Sequence, residues 1–353
     1  MFDYEFGLMI DKERGILLVY NNNSGTGRSV EPASNAASYL SYIRYPYDLI
    51  NFTEFRRTPH LLEEAAVVGV YGGDGTVYSV AKMIGKSDRK PTLLPVPTGT
   101  ENILANSIHG PKVNPNRLIH RVIDTLEGGS KPLNVIQLKA GEYTAGDSHA
   151  ENMFWLLTAG DSGITRRTLT ALNDHQDKSR LRKNLAVLRT SLTRTHPVNT
   201  VLITIFDRFG DKMDEFDALE ASVVKKTPGR WSRAKIVPRD EEQQDQIFTI
   251  GRGHTNYNSR RFAYRTLYES LGAMTGIEVG LYDREKRKNP LLTRLPLSGG
   301  ETVIFTSMGS SPFNGVVADS EIQNGASFNS IRVLPTVSEP IVNVFTARHF
   351  KND

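Results

Sequence analysis

Unbroken apolar runs alternate with amphipathic stretches over the first third of the chain, and beyond it the texture changes. Residues 15–20 read GILLVY and stop at Asn21-Asn22-Asn23-Ser24-Gly25. Residues 65–71 read AAVVGVY and stop at Gly72-Gly73-Asp74-Gly75-Thr76, and 91–96 read PTLLPV and stop at Pro97-Thr98-Gly99-Thr100. Apolar runs of this length bounded by turn residues are strands buried on both faces, the mark of a parallel sheet. Between them Ser34–Arg44 (apolar at Ala37, Leu40, Tyr42 and Ile43), Thr76–Ile84 and Asn116–Leu126 carry helical spacing, the last stopping at Gly128-Gly129. Strand and helix alternating over about 130 residues predict a doubly wound α/β domain.

After Pro132 the pieces are short and strand-like: LNVIQLKAGEY, NMFWLLTA, TVLITIF, SVVKK, AKIVP and QIFTIG. Arg180–Arg194 and Phe262–Leu271 are the helical candidates among them, and FNSIRVLP and IVNVFTA close the chain. This predicts a second domain, mostly antiparallel β.

Bulk numbers narrow the function classes. With 353 residues, 39% hydrophobic and 23% charged, the chain can bury two cores. No apolar stretch reaches the ~18 residues a membrane helix needs. The N-terminus MFDYEFGLMIDKERG is acidic where a signal peptide requires positive charge, so the cytoplasm is the expected compartment. Zero cysteines exclude disulfides, thiolate catalysis and cysteine-ligated metals, and the eight histidines form no His-x-x-x-His pair. A net charge of +4 suits a phosphate-handling protein or one that approaches an anionic lipid surface. The segment 161–200 holds eight Lys/Arg against three Asp, either a solvated helical face or a surface for anionic headgroups. It lacks the interleaved aromatics of a single-strand platform, and no nucleic-acid partner is expected.

All three N-terminal strands end in small, polar, glycine-containing loops, at the edge of an α/β sheet where ligands bind. Glycines let backbone N–H groups approach a phosphate, and a helix following GGDGT adds unpaired donors and partial positive charge. Asp74 cannot favourably face a polyanion by itself; it needs a metal ion or a substrate hydroxyl to orient. Neither the dinucleotide fingerprint G-x-G-x-x-G nor the Walker pattern is present.

These motifs resemble the diacylglycerol kinase and sphingosine kinase catalytic-domain family, the lipid kinase group of the superfamily that also holds NAD kinases and phosphofructokinases. GGDGT is the superfamily's mark, Asn21-Asn22-Asn23-Ser24-Gly25 resembles N-P-x-S-G, and Pro97 to Asn102 with Ala105 resembles P-x-G-T-x-N-x-x-A. Near the C-terminus Asp319-Ser320-Glu321, then SIRVLP, resembles D-G-E followed by an apolar strand. The resemblance implies an α/β ATP-binding domain over 1–131, to which the strand within 338–353 returns, and a substrate-binding β-sandwich over 132–337. It implies ATP and Mg²⁺ as cofactors and a diacylglycerol-like or sphingoid-like lipid alcohol as acceptor. Nucleotide contacts would come from Asn21, Ser24, Gly25, Gly72, Gly73, Gly75, Thr76, Thr98, Gly99, Thr100 and Asn102. Asp74 would hold the metal, with Asp161 a second candidate, and Asp319 would be the general base supported by Glu321. The chain departs from the pattern at Asn22 (usually Pro), Glu101 (often Gly) and Ser320 (Gly), and the family's G-x-D segment has no clean counterpart. NAD kinase and a non-catalytic nucleotide or lipid sensor are the alternatives. Peripheral contact with the inner membrane face would suit a lipid acceptor, and an exposed sandwich edge would suit a homodimer.

Overall fold

The computed structural model describes residues 14–24, 29–99, 102–110, 113–146, 153–155, 158–161, 201–225, 245–252, 292–297, 300–308, 316–319, 321–323, 329–337 and 341–347. They divide into two compact units, 1–138 with 341–353, and 139–340.

The first unit is a parallel α/β layer. In chain order its elements are β1 (Gly15–Tyr20), α1 (Val30–Tyr42), β2 (Tyr47–Asn51), α2 (Phe52–Phe55), α3 (Leu61–Glu64), β3 (Ala65–Gly72), α4 (Asp74–Lys86), β4 (Thr92–Pro97), α5 (Ile103–His109), α6 (Pro115–Glu127) and β5 (Asn134–Lys139). The sheet runs β2-β1-β3-β4-β17-β5, where β17 is Ile341–Thr346, near the C-terminus. β17 lies parallel to β4 and separates it from β5, a strand that the sequence pattern groups with the second domain.

Each central strand is apolar throughout because both faces are covered. Ile16, Leu18, Val67, Tyr71, Leu94, Val96 and Phe345 share one core with α1 and α6. Leu17, Val19, Val68, Val70 and Leu93 point the other way by strand alternation and are buried, on a sheet that α4 and α5 also contact. α1 buries Ala33, Ala36, Ala37 and Leu40, one face at helical spacing. α6 starts at Pro115 after an Asn114 side chain that accepts from Asn116 N, and stops at Gly128 in the left-handed region (φ 75°). β2 and β5 are the sheet edges. Asp48 and Leu49 of β2 are exposed, which is why YDLIN gives no apolar run to read in the sequence.

The second unit is antiparallel. Its strands are β6 (Gly141–Ala145), β7 (Met153–Trp155), β8 (Thr158–Asp161), β9 (Val201–Phe206), β10 (Lys212–Lys225), β11 (Asp245–Arg252), β12 (Leu292–Leu297), β13 (Thr302–Ser307), β14 (Val316–Ala318), β15 (Glu321–Gln323) and β16 (Ser330–Leu334). Their order is β15-β14-β8-β10-β9-β13-β16-β6-β7, with β11 joining β10 to β12. β8 and β16 are not neighbours on this path yet approach one another, so the sheet curls over a core of Ile203, Ile205, Val223, Val303, Phe305, Ile331 and Val333. The expected helices at 180–194 and 262–271, the basic run 162–200 and the AKIVP strand lie outside the described residues.

Candidate functional site

Three loops meet at the carboxyl ends of β1, β3 and β4. Asn21 N donates to Tyr71 O at 3.0 Å, extending the β1–β3 ladder by one residue. The Asn21 side chain then works in two directions: Oδ1 accepts from Asn23 N at 3.0 Å, and Nδ2 donates to Thr76 Oγ1 at 2.7 Å. Ser29 Oγ closes the loop by donating to Asn21 O at 2.7 Å. Thus Asn21 and Thr76, both expected to touch nucleotide, are bonded to each other.

Glycine is required where the second and third loops touch. A Cβ on Gly99 would stand 2.9 Å from Gly73 N and closer still to Gly73 Cα. One on Gly73 would meet Ser24 Oγ at 3.1 Å, and one on Gly72 would come within 2.8 Å of Thr76 Cβ. At Gly99 the obstacle is backbone, so no side chain fits there unless the chain moves, whereas at Gly72 and Gly73 it is the Thr76 or Ser24 side chain that would have to give. The N-cap of α4 is Gly73, which offers no side-chain acceptor, and the first intrahelical bond is Val77 N to Gly73 O at 3.1 Å. The N–H groups of Gly75 and Thr76 therefore have no intrahelical acceptor at the positive end of a 13-residue helix.

The third loop is locked by its own asparagine. Asn102 adopts φ 53°, and its amide spans the turn, accepting from Gly99 N at 2.7 Å and donating to Gly99 O at 2.7 Å. Its side chain thereby shapes the loop in which a nucleotide contact is expected. The Asp74 carboxylate also has a structural task that the sequence does not reveal: Oδ1 accepts from Leu104 N at 3.0 Å and so caps α5. GGDGT and P-T-G-T-x-N are thereby one piece. The far end of α5 is tied too. His109, buried, accepts from Ala347 N on Nδ1 at 3.1 Å, which puts its proton on Nε2 facing Pro95 O at 2.9 Å. Thr346 Oγ1 donates to Ile108 O at 2.6 Å.

These groups fit a nucleotide phosphate. The glycine contact leaves bare backbone, the Gly75 and Thr76 N–H groups of α4 have no intrahelical acceptor, and Thr98 Oγ1 is buried with no hydrogen-bond partner among the described residues. No three carboxylates or imidazoles among the described residues gather as a metal site. Among the described residues of the three loops Asp74 is the carboxylate that would meet a divalent ion carried with a phosphate.

In the second unit Asp319 is 2% exposed. β14 and β15 pair from Ala318↔Glu321 outward, so Asp319 opens a two-residue hairpin turn, and its φ is 49°. Tyr143 of β6, which sequence reasoning missed, is also buried. Burial first, and then the charge of Asp319, push its hydroxyl well above the usual tyrosine range. The signal available for it was local: in GEYTA, strand alternation turns Tyr143 inward while Glu142 and Thr144 face the other way. Gly25 and Thr100, and the side chains of Asp161 and Glu321, lie outside the described residues.

Residues 15–138 match the diacylglycerol kinase catalytic domain family. No curated protein matches the sequence. The solved structure of a diacylglycerol kinase from Bacillus anthracis strain Sterne aligns with a TM-score of 0.53 at 13% identity, over 94% of this chain and 97% of that one. Yeast NADH kinase complexed with NADH aligns with a TM-score of 0.56 at 10% identity, over 97% of this chain and 85% of that one. At such identities the structural likeness shows the fold: an α/β unit joined to an antiparallel β unit.

Proposed function

We propose, for a chain whose residues 15–138 match the diacylglycerol kinase catalytic domain family, an ATP-dependent kinase that phosphorylates a hydroxyl of a diacylglycerol-like or sphingoid-like lipid. The observation that carries the reading is the Gly73–Gly99 backbone contact at the head of the uncapped α4, where only bare peptide can meet a phosphate. In the reaction the acceptor oxygen forms a bond to the γ-phosphorus while the bond to the β–γ bridging oxygen breaks, leaving ADP. The acceptor proton passes to a carboxylate oxygen of Asp319. Mg²⁺ carried with the nucleotide would supply charge neutralisation. Most of the rate comes from positioning and from fixed donors, here the Gly75 and Thr76 N–H groups.

NAD kinase is the nearer alternative, since the fold is shared with an NADH kinase. An Asn-Glu dipeptide, which that family uses for ribose hydroxyls, occurs nowhere in this sequence. A nucleotide sensor without turnover is the other alternative; the Asp74 carboxylate, kept between glycines, speaks for the enzyme. No helix among the described residues is long and apolar enough to cross a membrane, so a lipid acceptor would be met by peripheral contact at the inner membrane face.

The test is transfer of labelled γ-phosphate from ATP with Mg²⁺ to a total lipid extract in detergent, with NAD and NADH in parallel and Asp319→Ala beside the wild type. A labelled lipid lost with Asp319→Ala supports the kinase and, by its mass, names the acceptor. A labelled dinucleotide replaces the lipid reading with NAD kinase. ATP binding without any product moves the reading to the sensor.

A further inference from the structure

We propose that Asn21 is a positioning residue that acts on the nucleotide through Thr76: its amide donates to the Thr76 hydroxyl oxygen and so leaves that hydroxyl's own proton for a phosphate oxygen. The inference rests on the reading of these loops as a nucleotide site and gives one of its residues a different task.

Geometry carries it first. The Asn21 backbone is held on both sides, its N–H donating to Tyr71 O at 3.0 Å and its carbonyl accepting from Ser29 Oγ at 2.7 Å and from Ser24 N at 3.1 Å. The side-chain amide has one orientation that fits. Oδ1 accepts from Asn23 N at 3.0 Å, and a flipped amide would set two donors face to face there. Nδ2 therefore faces Thr76 Oγ1, at 2.7 Å, and joins the loop after β1 to the first turn of α4. The loop after β3 is shaped around the same hydroxyl, for a Cβ on Gly72 would stand 2.9 Å from Thr76 Oγ1.

Chemistry carries it further. An amide N–H only donates, so the bond runs one way: the Thr76 oxygen accepts and keeps its own proton. A helical threonine commonly spends that proton on the carbonyl one turn back, as Thr125 of α6 does on Arg121 O at 2.8 Å. Thr76 is 5% exposed, and its hydroxyl donates to no group among the described residues. Phosphate oxygens accept and need donors whose protons are not already committed. The Thr76 hydroxyl is such a donor, and it stands in the turn where the Gly75 and Thr76 N–H groups have no intrahelical acceptor. Asn21 thus sets both the rotamer of Thr76 and the direction of its hydrogen bond.

The experiment measures ATP affinity by calorimetric titration for Asn21→Ser made in the wild type, in Thr76→Ser and in Thr76→Val. Serine at position 21 can still accept from Asn23 N but is too short to reach Thr76, so the turn is kept and the link is lost. Asn21→Ser is expected to weaken ATP binding about tenfold in the wild type and in Thr76→Ser, which keeps a hydroxyl. In Thr76→Val, which has none, it should cause no further loss. An equal further loss in Thr76→Val, in proteins that melt like the wild type, means that Asn21 meets the nucleotide itself or only shapes its own loop, and overturns the inference. An unchanged affinity in Asn21→Ser overturns it too. Both results leave the nucleotide reading standing, whereas a wild type that binds no ATP removes that reading and the inference with it. Should Thr76→Val fail to fold, Thr76→Ala takes its place with the same expectation.

Discussion

Asp74 and Asp319 are both carboxylates at strand ends, yet they are held by opposite means. Asp74 opens a 13-residue helix, is partly exposed, and has Oδ1 bonded at 3.0 Å to the first turn of a second helix. Asp319 stands on a tight hairpin at φ 49° and is buried, and its charge helps to raise the hydroxyl of the buried Tyr143. Regular structure places the first; burial and an unusual backbone place the second. The lesson is that replacing Asp74 should loosen a scaffold as well as remove a charge, whereas replacing Asp319 should remove chemistry and relax its turn.

The largest expected effects test that contrast at its root. Asp319→Ala and Asp74→Ala should each lower turnover by about 10²–10⁴-fold, measured by labelled-phosphate transfer. They should part in binding: Asp319→Ala keeps its affinity for ATP, and Asp74→Ala loses some of it. Equal affinities would erase the distinction. Next, Gly99→Ala forces a methyl against Gly73 and should cost about 1–3 kcal/mol of stability, with ATP affinity down about tenfold or more. A melting scan and a calorimetric titration check both.

Smaller effects sharpen the comparison. Asparagine can still accept from Leu104 N, so Asp74→Asn should melt like the wild type, while Asp74→Ala should lose about 1 kcal/mol, the worth of a helix cap. On the other side, Asp319→Gly should relieve up to about 1 kcal/mol of backbone strain even as it removes the carboxylate, since a non-glycine residue at φ 49° is disfavoured. Denaturant midpoints measure both. The smallest effect lies at the surface of the second unit. The hydrogen bond from Lys212 and then that from Thr204 hold the Glu215 carboxyl below its ordinary value. Its stabilisation is therefore present above the ordinary carboxylate range and fades as pH falls through the lowered one. Lys212→Met should raise the Glu215 midpoint seen by NMR titration and leave the thermal stability near neutral pH almost unchanged.

Much of the first unit was legible in the sequence because its signals are local. GILLVY and AAVVGVY announce strands covered on both faces, and the glycines that follow announce backbone approach. What the sequence withheld was cross-loop partnership. Nothing in P-T-G-T-E-N shows that the Asn102 amide folds back on Gly99, and nothing in GGDGT shows that Asp74 reaches Leu104. β2 escaped because an edge strand need not be apolar. Tyr143 escaped for a stronger reason: antiparallel pairing joins residues by a register that depends on every intervening strand. The α/β unit followed by an antiparallel β unit was still readable, since periodicity needs no partner.

The position of β17 sets an order of events during synthesis. β4 and β5 are neighbours in the chain but not in the sheet, for β17 fills the gap between them. A nascent first unit therefore emerges with an open slot, its apolar edge exposed, while the whole second unit is made. At about 5–20 residues per second that interval is on the order of ten to forty seconds. During it β4 and β5 must not pair with each other or with another copy. His109 and Thr346 then fasten the late strand in place. The three glycine-bearing loops thus sit on a sheet that is completed only after the whole second unit has been made, so products truncated before β17 would carry Gly72, Gly73 and Gly99 on an unfinished scaffold.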